Sequence, residues 1–325
     1  MTVLSPVLEI EELTIRFTTP EGKGTAVDGV SFSIGANETL GLVGESGCGK
    51  TVTALAILRL IQEPPGEIAG GRIIFEDQDI LQMPNDKLRR IRGNRIAMIF
   101  QEPMTALNPV FTVGDQIGEA FRLHTDCNKK EAREKSIGML TQVGIPEPEK
   151  RVDEYPHQLS GGMRQRVMIA MALACNPAVL IADEPTTALD VTVQAQILDL
   201  MDDLKKKFGT SIIFITHDLG VVAQYAQRLA VMYAGKIVET GPTGSIFKNK
   251  SHPYTEGLMG SIPSLKGDTR ERLAEIPGIV PPLHDIPSGC RFHPRCPKVM
   301  DVCSKKAPPF FNISDGHKAA CFLHA

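Results

Sequence analysis

Residues 39–51 read Thr39-Leu-Gly-Leu-Val43 and then Gly44-Glu45-Ser46-Gly47-Cys48-Gly49-Lys50-Thr51. The first five residues are an apolar run too short for a helix, preceded by a turn at Gly35-Ala36-Asn37, as expected of a buried strand in a parallel sheet. The next eight fit G-x-x-x-x-G-K-[ST], and residues 51–61 carry a helical pattern. Strand, glycine loop and helix in that order are the setting in which this pattern holds phosphate. The glycines let successive backbone N–H groups close around phosphate oxygens, and the helix N-terminus adds its dipole. Lys50 would reach the β- and γ-phosphates of ATP, and the Thr51 hydroxyl would ligate Mg²⁺.

Working outward, Leu13, Ile15 and Phe17 alternate on one face, and Val30, Phe32 and Ile34 repeat the period, which predicts strands of an N-terminal antiparallel layer. Short apolar runs over 95–100, 178–182 and 211–215 each end in polar residues, as strands do where they present chemistry at their carboxyl ends. Between 101 and 176 the pattern turns helical, with helices expected over 115–124 and 129–143. Runs over 229–233 and 236–239 flank Ala234-Gly235, a hairpin signal. Beyond residue 251 proline becomes frequent, which predicts an irregular appended module. The fold class is therefore α/β: a P-loop ATPase domain over 1–250 with an antiparallel β layer and a helical subdomain at about 102–176, then a small C-terminal module over 251–325.

The 325 residues are 42% hydrophobic and 22% charged with a net charge of −3, an ordinary globular composition without the basic excess of a nucleic-acid binder. The amino terminus carries Glu9, Glu11 and Glu12 and lacks a secretory pattern. The longest nearly apolar stretch, 167–182, is short and broken by Asn176-Pro177, so no membrane span is expected. A cytoplasmic protein, reaching a membrane only through partners, is the expectation.

Two further motifs carry chemistry. Val179-Leu-Ile-Ala-Asp183-Glu184 ends a buried run in two carboxylates, with Asp183 suited to Mg²⁺ and Glu184 to polarising an attacking water. Leu159-Ser160-Gly161-Gly162-Met163 precedes a helix that Ser160 would cap, leaving a second anion site at its start. With Gln101 after a strand, Ala188-Leu189-Asp190 and Thr216-His217-Asp218, these motifs stand in the order of an ABC-type ATPase. The stretches Gln101-Glu-Pro-Met-Thr-Ala-Leu-Asn-Pro109, Tyr155-Pro-His-Gln-Leu-Ser-Gly-Gly-Met163, Asp183-Glu-Pro-Thr-Thr-Ala-Leu-Asp190 and His252-Pro-Tyr254 resemble the ATP-binding subunits of bacterial dipeptide and oligopeptide importers, over residues 7–321.

That resemblance implies a dimer in which the glycine loop of one subunit meets the 159–163 motif of another, a heterodimer with a second homologous ATPase. Ser160, Gly161 and Gly162 would hold the partner's nucleotide, with Asp190 crossing the interface. Gln101 would join Mg²⁺ and the lytic water, and His217 would contact the γ-phosphate and Glu184. Phe17 matches the position of an adenine-stacking aromatic, though an alternating strand would bury a Phe in any case. The implied partners are two membrane-spanning permease subunits, one of which would dock a short helix on the segment 102–109, and an extracytoplasmic solute-binding protein. Importers of nickel or another small solute share the family. An ABC ATPase acting on nucleic acid is disfavoured by the single motif set, the missing long heptad arm and the acidic balance.

Cys290, Cys296, Cys303 and Cys321 crowd the last tenth of the chain. Soft thiolates select iron–sulfur clusters or zinc, and a proline-rich segment with little core gains order from either. Their spacing fits neither common zinc sites nor bacterial ferredoxins; His293 and His317 are further zinc ligands, and unligated buried thiols are the third possibility. Gly289-Cys-Arg-Phe-His-Pro-Arg-Cys-Pro297 resembles the C-terminal cysteine motif of dipeptide-importer ATPases, which implies an iron–sulfur cluster of the 4Fe–4S kind.

Overall fold

The computed structural model describes residues 5–101, 106–187, 189–261 and 275–325. The described strands are β1 (Leu8–Thr19), β2 (Gly22–Ile34), β3 (Thr39–Val43), β4 (Gly66–Phe75), β5 (Gln78–Asp79), β6 (Ile96–Ile99), β7 (Val179–Asp183), β8 (Ser211–Thr216), β9 (Arg228–Tyr233), β10 (Lys236–Pro242), β11 (Phe311–Ser314) and β12 (His317–Ala319). Contacts divide the chain into two compact units. The larger holds Leu8–Ile34, Thr39–Leu81 and Phe214–Ala325; the smaller holds Gly35–Glu38 and Gln82–Ile213 with the N-terminal residues.

In the larger unit, β2-β1-β4-β5 form an antiparallel sheet, as the alternating pattern predicts. Leu8, Ile10, Leu13 and Ile15 of β1 are all buried, and the step of three between Ile10 and Leu13 is taken up by a register shift at Glu12, whose φ is +48°. β3 is buried along its whole length and pairs in parallel with β9, Leu40 opposite Arg228 and Val43 opposite Val231. The β9–β10 hairpin turns at Ala234 and Gly235, both at positive φ, the geometry that fits the twist of the strands.

The region beyond 251 departs from the irregular module expected of its prolines. β12 pairs with β10, Glu239 opposite Ala319, and β11 pairs with β12, so the tail extends the sheet of β3, β9 and β10. Tyr233, Tyr254 and Phe292, all fully buried, pack ring against ring with centroids 4.6–5.3 Å apart. They join Val43, Val231 and Leu229 in one apolar core with Cys290 and Cys296 against it.

The helix after the glycine loop is shorter than expected, Lys50–Ile57. Arg59 turns left-handed at φ +49°, and the Leu60 N–H closes on the Leu55 carbonyl at 2.8 Å, so the helix stops without the glycine that usually marks such an end.

In the smaller unit β6 and β7 pair in parallel, Ile96 opposite Val179. Helices Val113–His124 and Lys129–Gln142 realise the expected helical insertion; Thr112 caps the first, and Asn128 with Glu131 forms a capping box on the second. Helices Gly161–Leu173 and Val191–Phe208 complete it. β8 begins in this unit and ends in the larger one. Among the described residues no helix is long and apolar enough to cross a membrane.

Candidate active site

The glycine loop follows β3 directly. A Cβ on Gly44 would lie 2.1 Å from the Met232 carbonyl oxygen, and Gly49 stands at φ +105° with a virtual Cβ 2.7 Å from the Ala26 oxygen, so both positions exclude any side chain. Gly49 is also the N-cap of Lys50–Ile57 and brings no capping side chain, which leaves the first-turn N–H groups for an anion. Lys50 is only 6% exposed; its ammonium donates to the Gly44 carbonyl at 2.8 Å and the Glu45 carbonyl at 3.0 Å, holding the loop in a closed curl. Ser46, Gly47 and Thr51 are exposed along it, and burial pushes the Cys48 thiol pKa up. Backbone donors, a cradle that a Cβ would fill, a buried cation and a hydroxyl are the set that fits a magnesium-bound triphosphate.

Elsewhere in this unit, Phe17 is half-buried on β1, its ring edge 3.0 Å from where a Cβ on Gly66 would stand. His217 is exposed after β8, beside Asp218, which caps the helix Leu219–Tyr225 through the N–H groups of Gly220 and Val221.

The smaller unit brings Gln101 and Glu184 together. The Gln101 amide donates to Glu184 Oε2 at 2.8 Å, and the Thr187 hydroxyl donates to the same oxygen at 3.1 Å. Glu184 sits at φ +46°, a left-handed conformation rare for a side-chain-bearing residue and concentrated at functional sites. Asp183, 2% exposed, ends β7 just before it. Ser160 caps Gly161–Leu173 as expected, its Oγ accepting from the Met163 N–H at 3.3 Å. Gly162 is close to Val193, with 3.0 Å from a virtual Cβ to Cγ1. Asp190 caps Val191–Phe208, accepting from Thr192 and Val193 at 3.0 Å each. Residues 102–105 and 188, which carry part of two quoted motifs, lie outside the described residues.

One arrangement has no counterpart among the sequence-based expectations. Arg295 donates bidentately to Glu45, Nη1 to Oε2 at 2.8 Å and Nη2 to Oε1 at 2.9 Å, while the Glu45 N–H donates to the Tyr254 hydroxyl at 2.8 Å. The Glu45 carboxylate raises the Arg295 pKa above its ordinary value, and burial does the same to the Tyr254 phenol. Arg295 lies within the quoted cysteine motif, where its residue type alone gives no sign of a partner 250 positions away.

The four C-terminal cysteines line one small cavity with His252 and His293, and the Cys290 N–H donates to the Cys303 carbonyl at 2.8 Å. The ready-made thiolate cluster expected of them is not what the structure shows. All four are free thiols, and among the described residues no group of three or more His, Cys, Asp or Glu is set to hold a metal ion. Burial raises the Cys290 pKa to about 11 and lifts Cys296 and Cys321 as well, with neighbouring cysteines adding to each. Cys303 and Cys321 are buried, and Cys290 and Cys296 pack against the apolar core. All four cysteines nonetheless line one cavity, and thiolates are the donors that soft metals take. His317 is taken up elsewhere, its Nε2 2.8 Å from the buried Glu239 carboxylate.

A phosphate loop at the carboxyl end of one parallel strand and an acid pair at the end of another define a P-loop nucleotide hydrolase. Residues 27–187 match the family model described as "ABC transporter", and residues 238–303 match "Oligopeptide/dipeptide transporter, C-terminal region". The chain is 51% identical over 321 residues to the oligopeptide transport ATP-binding protein AppD of Bacillus subtilis, covering 99% of this chain and 98% of that one. It is 51% identical over 320 residues to the dipeptide transport ATP-binding protein DppD of the same organism, covering 98% and 95%. Among solved structures, the ATP-binding cassette MJ0796, in a dimeric post-hydrolysis state bound to ADP and Pi, is 26% identical with a TM-score of 0.65, covering 73% of this chain and 98% of that one. The chain belongs to the family of ABC transporter ATP-binding proteins of the peptide, dipeptide and oligopeptide branch, and is an ATPase coupled to transport.

Proposed function

We propose that this chain energises import of dipeptides and oligopeptides from the cytoplasmic face of the inner or plasma membrane, residues 1–250 acting as the ATPase and 251–325 as the C-terminal module. The observation that carries the peptide reading is the family match over 238–303, which lies in that module and the strand leading to it and is described for oligopeptide and dipeptide transporters. Two permease subunits, a second homologous ATPase and an extracytoplasmic binding protein complete the assembly. The segment 102–109 would receive the permease helix, and its last residue, Pro109, lines an open groove of the smaller unit with Val110, Tyr155 and His157. Leu107 is 2% exposed and belongs to the core rather than to that surface.

In the reaction, Lys50 and the N–H groups of 46–51 bind the triphosphate, and Phe17 stacks on adenine. Ser160, Gly161, Gly162 and Asp190 serve the nucleotide of the partner ATPase. Thr51, Asp183 and Gln101 would hold Mg²⁺, which would supply neutralisation of the charge that builds on the phosphate oxygens. Glu184, oriented by Gln101 and Thr187, accepts a hydrogen bond from the attacking water. Water adds to the γ-phosphorus, the bond to the bridging oxygen breaks, and ADP leaves; His217 senses the γ-phosphate.

Cells carrying Glu184→Gln in place of the wild-type chain should lose uptake of labelled dipeptides and oligopeptides. Retained peptide uptake with loss of nickel uptake would overturn the peptide reading. For Cys290, Cys296, Cys303 and Cys321, the shared cavity and soft donors support a 4Fe–4S cluster taken up on deprotonation. Anaerobically purified protein should be brown, with iron and acid-labile sulfide lost in Cys303→Ser; a colourless protein with stoichiometric zinc would overturn the cluster.

A further inference from the structure

We propose that Arg295 is a positioning residue for the phosphate loop, and that through it the cysteine-bearing module sets how tightly the loop holds ATP. Glu45 is held from two sides by residues far along the chain, its N–H by Tyr254 and its carboxylate by Arg295, 209 and 250 positions away. The peptide so fixed carries the Gly44 carbonyl oxygen and the one after it that of Glu45, the two that dock the Lys50 ammonium. A loop whose second residue is pinned in this way keeps its curl in the absence of nucleotide, so less ordering remains to be done when phosphate arrives.

Arg295 is built for rigidity. Its side chain is 6% exposed. Nε donates to the Pro277 carbonyl at 2.8 Å, Nη2 to those of Ile276 and Gly278 at 3.3 and 3.2 Å, and Nη1 to the Tyr233 hydroxyl at 3.3 Å. The guanidinium also lies 5.7 and 5.9 Å from the ring centroids of Tyr233 and Phe292. A planar fork engaged on every edge delivers its two remaining donors to a carboxylate in one geometry, which a lysine cannot reproduce.

The same residue is tied to the cysteines. It ends the turn His293–Arg295, which is closed by the His293 N–H on the Cys290 carbonyl at 2.9 Å and the Cys296 N–H on the His293 carbonyl at 3.3 Å. Cys290 is in turn bonded to Cys303. A change at Cys290 or Cys296 therefore reaches Glu45 through a single covalent turn and one ion pair.

The test is the dissociation constant for ATP of the full-length chain. Arg295→Ala and Glu45→Gln should each weaken binding on the order of tenfold, the double variant no more than either alone, with Arg295→Lys between. Cys296→Ser should shift affinity when Arg295 is present and add nothing in the Arg295→Ala background. Wild-type affinity in folded Arg295→Ala and Glu45→Gln, with only a lowered melting temperature, would overturn the positioning role. Should Arg295→Ala fail to fold, Glu45→Gln, which keeps the arginine, decides the positioning role, and Arg295→Lys serves as the background for Cys296→Ser. Equal effects of Cys296→Ser in both backgrounds, or none in either, would overturn the link to the module.

Discussion

Glu45 lies within the phosphate loop and Glu184 ends the acid pair after β7, and the two carboxylates are held in opposite ways. Glu45 meets a guanidinium whose side chain is 6% exposed, with both oxygens engaged at 2.8 and 2.9 Å. Glu184 stands on left-handed backbone and receives an amide and a hydroxyl, both neutral, on a single oxygen. A cation on both oxygens makes a carboxylate a fixed anchor. The amide and the hydroxyl orient the Glu184 carboxylate through that oxygen. The contrast teaches that an acid which shapes a loop is gripped on both oxygens by one planar partner, whereas the acid proposed to act on water is oriented by an amide and a hydroxyl on left-handed backbone.

The sharpest way to break that distinction is turnover. Glu184→Gln should lower steady-state ATPase of the assembled transporter by roughly 10²–10⁴-fold with ATP binding retained. Glu45→Gln at saturating ATP should stay within about tenfold of wild type. Equal collapse in both would make Glu45 a chemical rather than an anchoring group.

A smaller effect separates the buried surroundings of Glu45 from the open ones of Glu184. His252, whose Nδ1 accepts from the Tyr254 N–H, has its pKa lowered from 6.5 to about 3 by burial, with His324 adding repulsion. The unfolded chain takes up a proton below pH 6.5 that the folded one refuses until about pH 3, so stability falls as pH drops through this window. The loss should reach about 2 kcal/mol at pH 5 relative to pH 7.5, read from urea midpoints, and should shrink in His252→Asn. A pH profile identical in the variant would place the acid sensitivity elsewhere.

The smallest effect lies at the caps of the smaller unit. Ser160→Ala removes the acceptor for the Met163 N–H and should cost about 1 kcal/mol, measured by thermal melting. A variant as stable as wild type would mean that Ser160 contributes nothing through its cap, leaving anion binding as its role.

Much of this site is local and therefore legible. The phosphate loop, the Ser160 cap and the acid pair after β7 each occupy fewer than ten consecutive residues, and backbone chemistry over that distance is written in residue type. What stayed hidden depends on distant partners. Nothing in Arg295 or Glu45 advertises the other across 250 positions. β12 is His317-Lys-Ala319, with no strand-forming composition, and is a strand because β10 offers it an edge. The early end of Lys50–Ile57 escaped for a different reason, since the left-handed stop at Arg59 lacks the usual glycine. Four cysteines in 32 residues suggest a metal, while the burial of Cys303 and Cys321 is set by distant parts of the chain that no local motif records.

The anchoring of Glu45 by Arg295 also orders events during synthesis. Glu45 leaves the ribosome early, and the arginine follows 250 residues later, a delay of roughly 12–50 s at ordinary translation rates. For that interval the glycine loop lacks the strut that shapes it, and once β10 has emerged, late in the interval, its edge waits for β12. A loop that gains its full grip only after the tail has folded back postpones nucleotide capture until the chain is nearly complete, and ties it to the same late event that closes an edge on which nascent chains would otherwise aggregate.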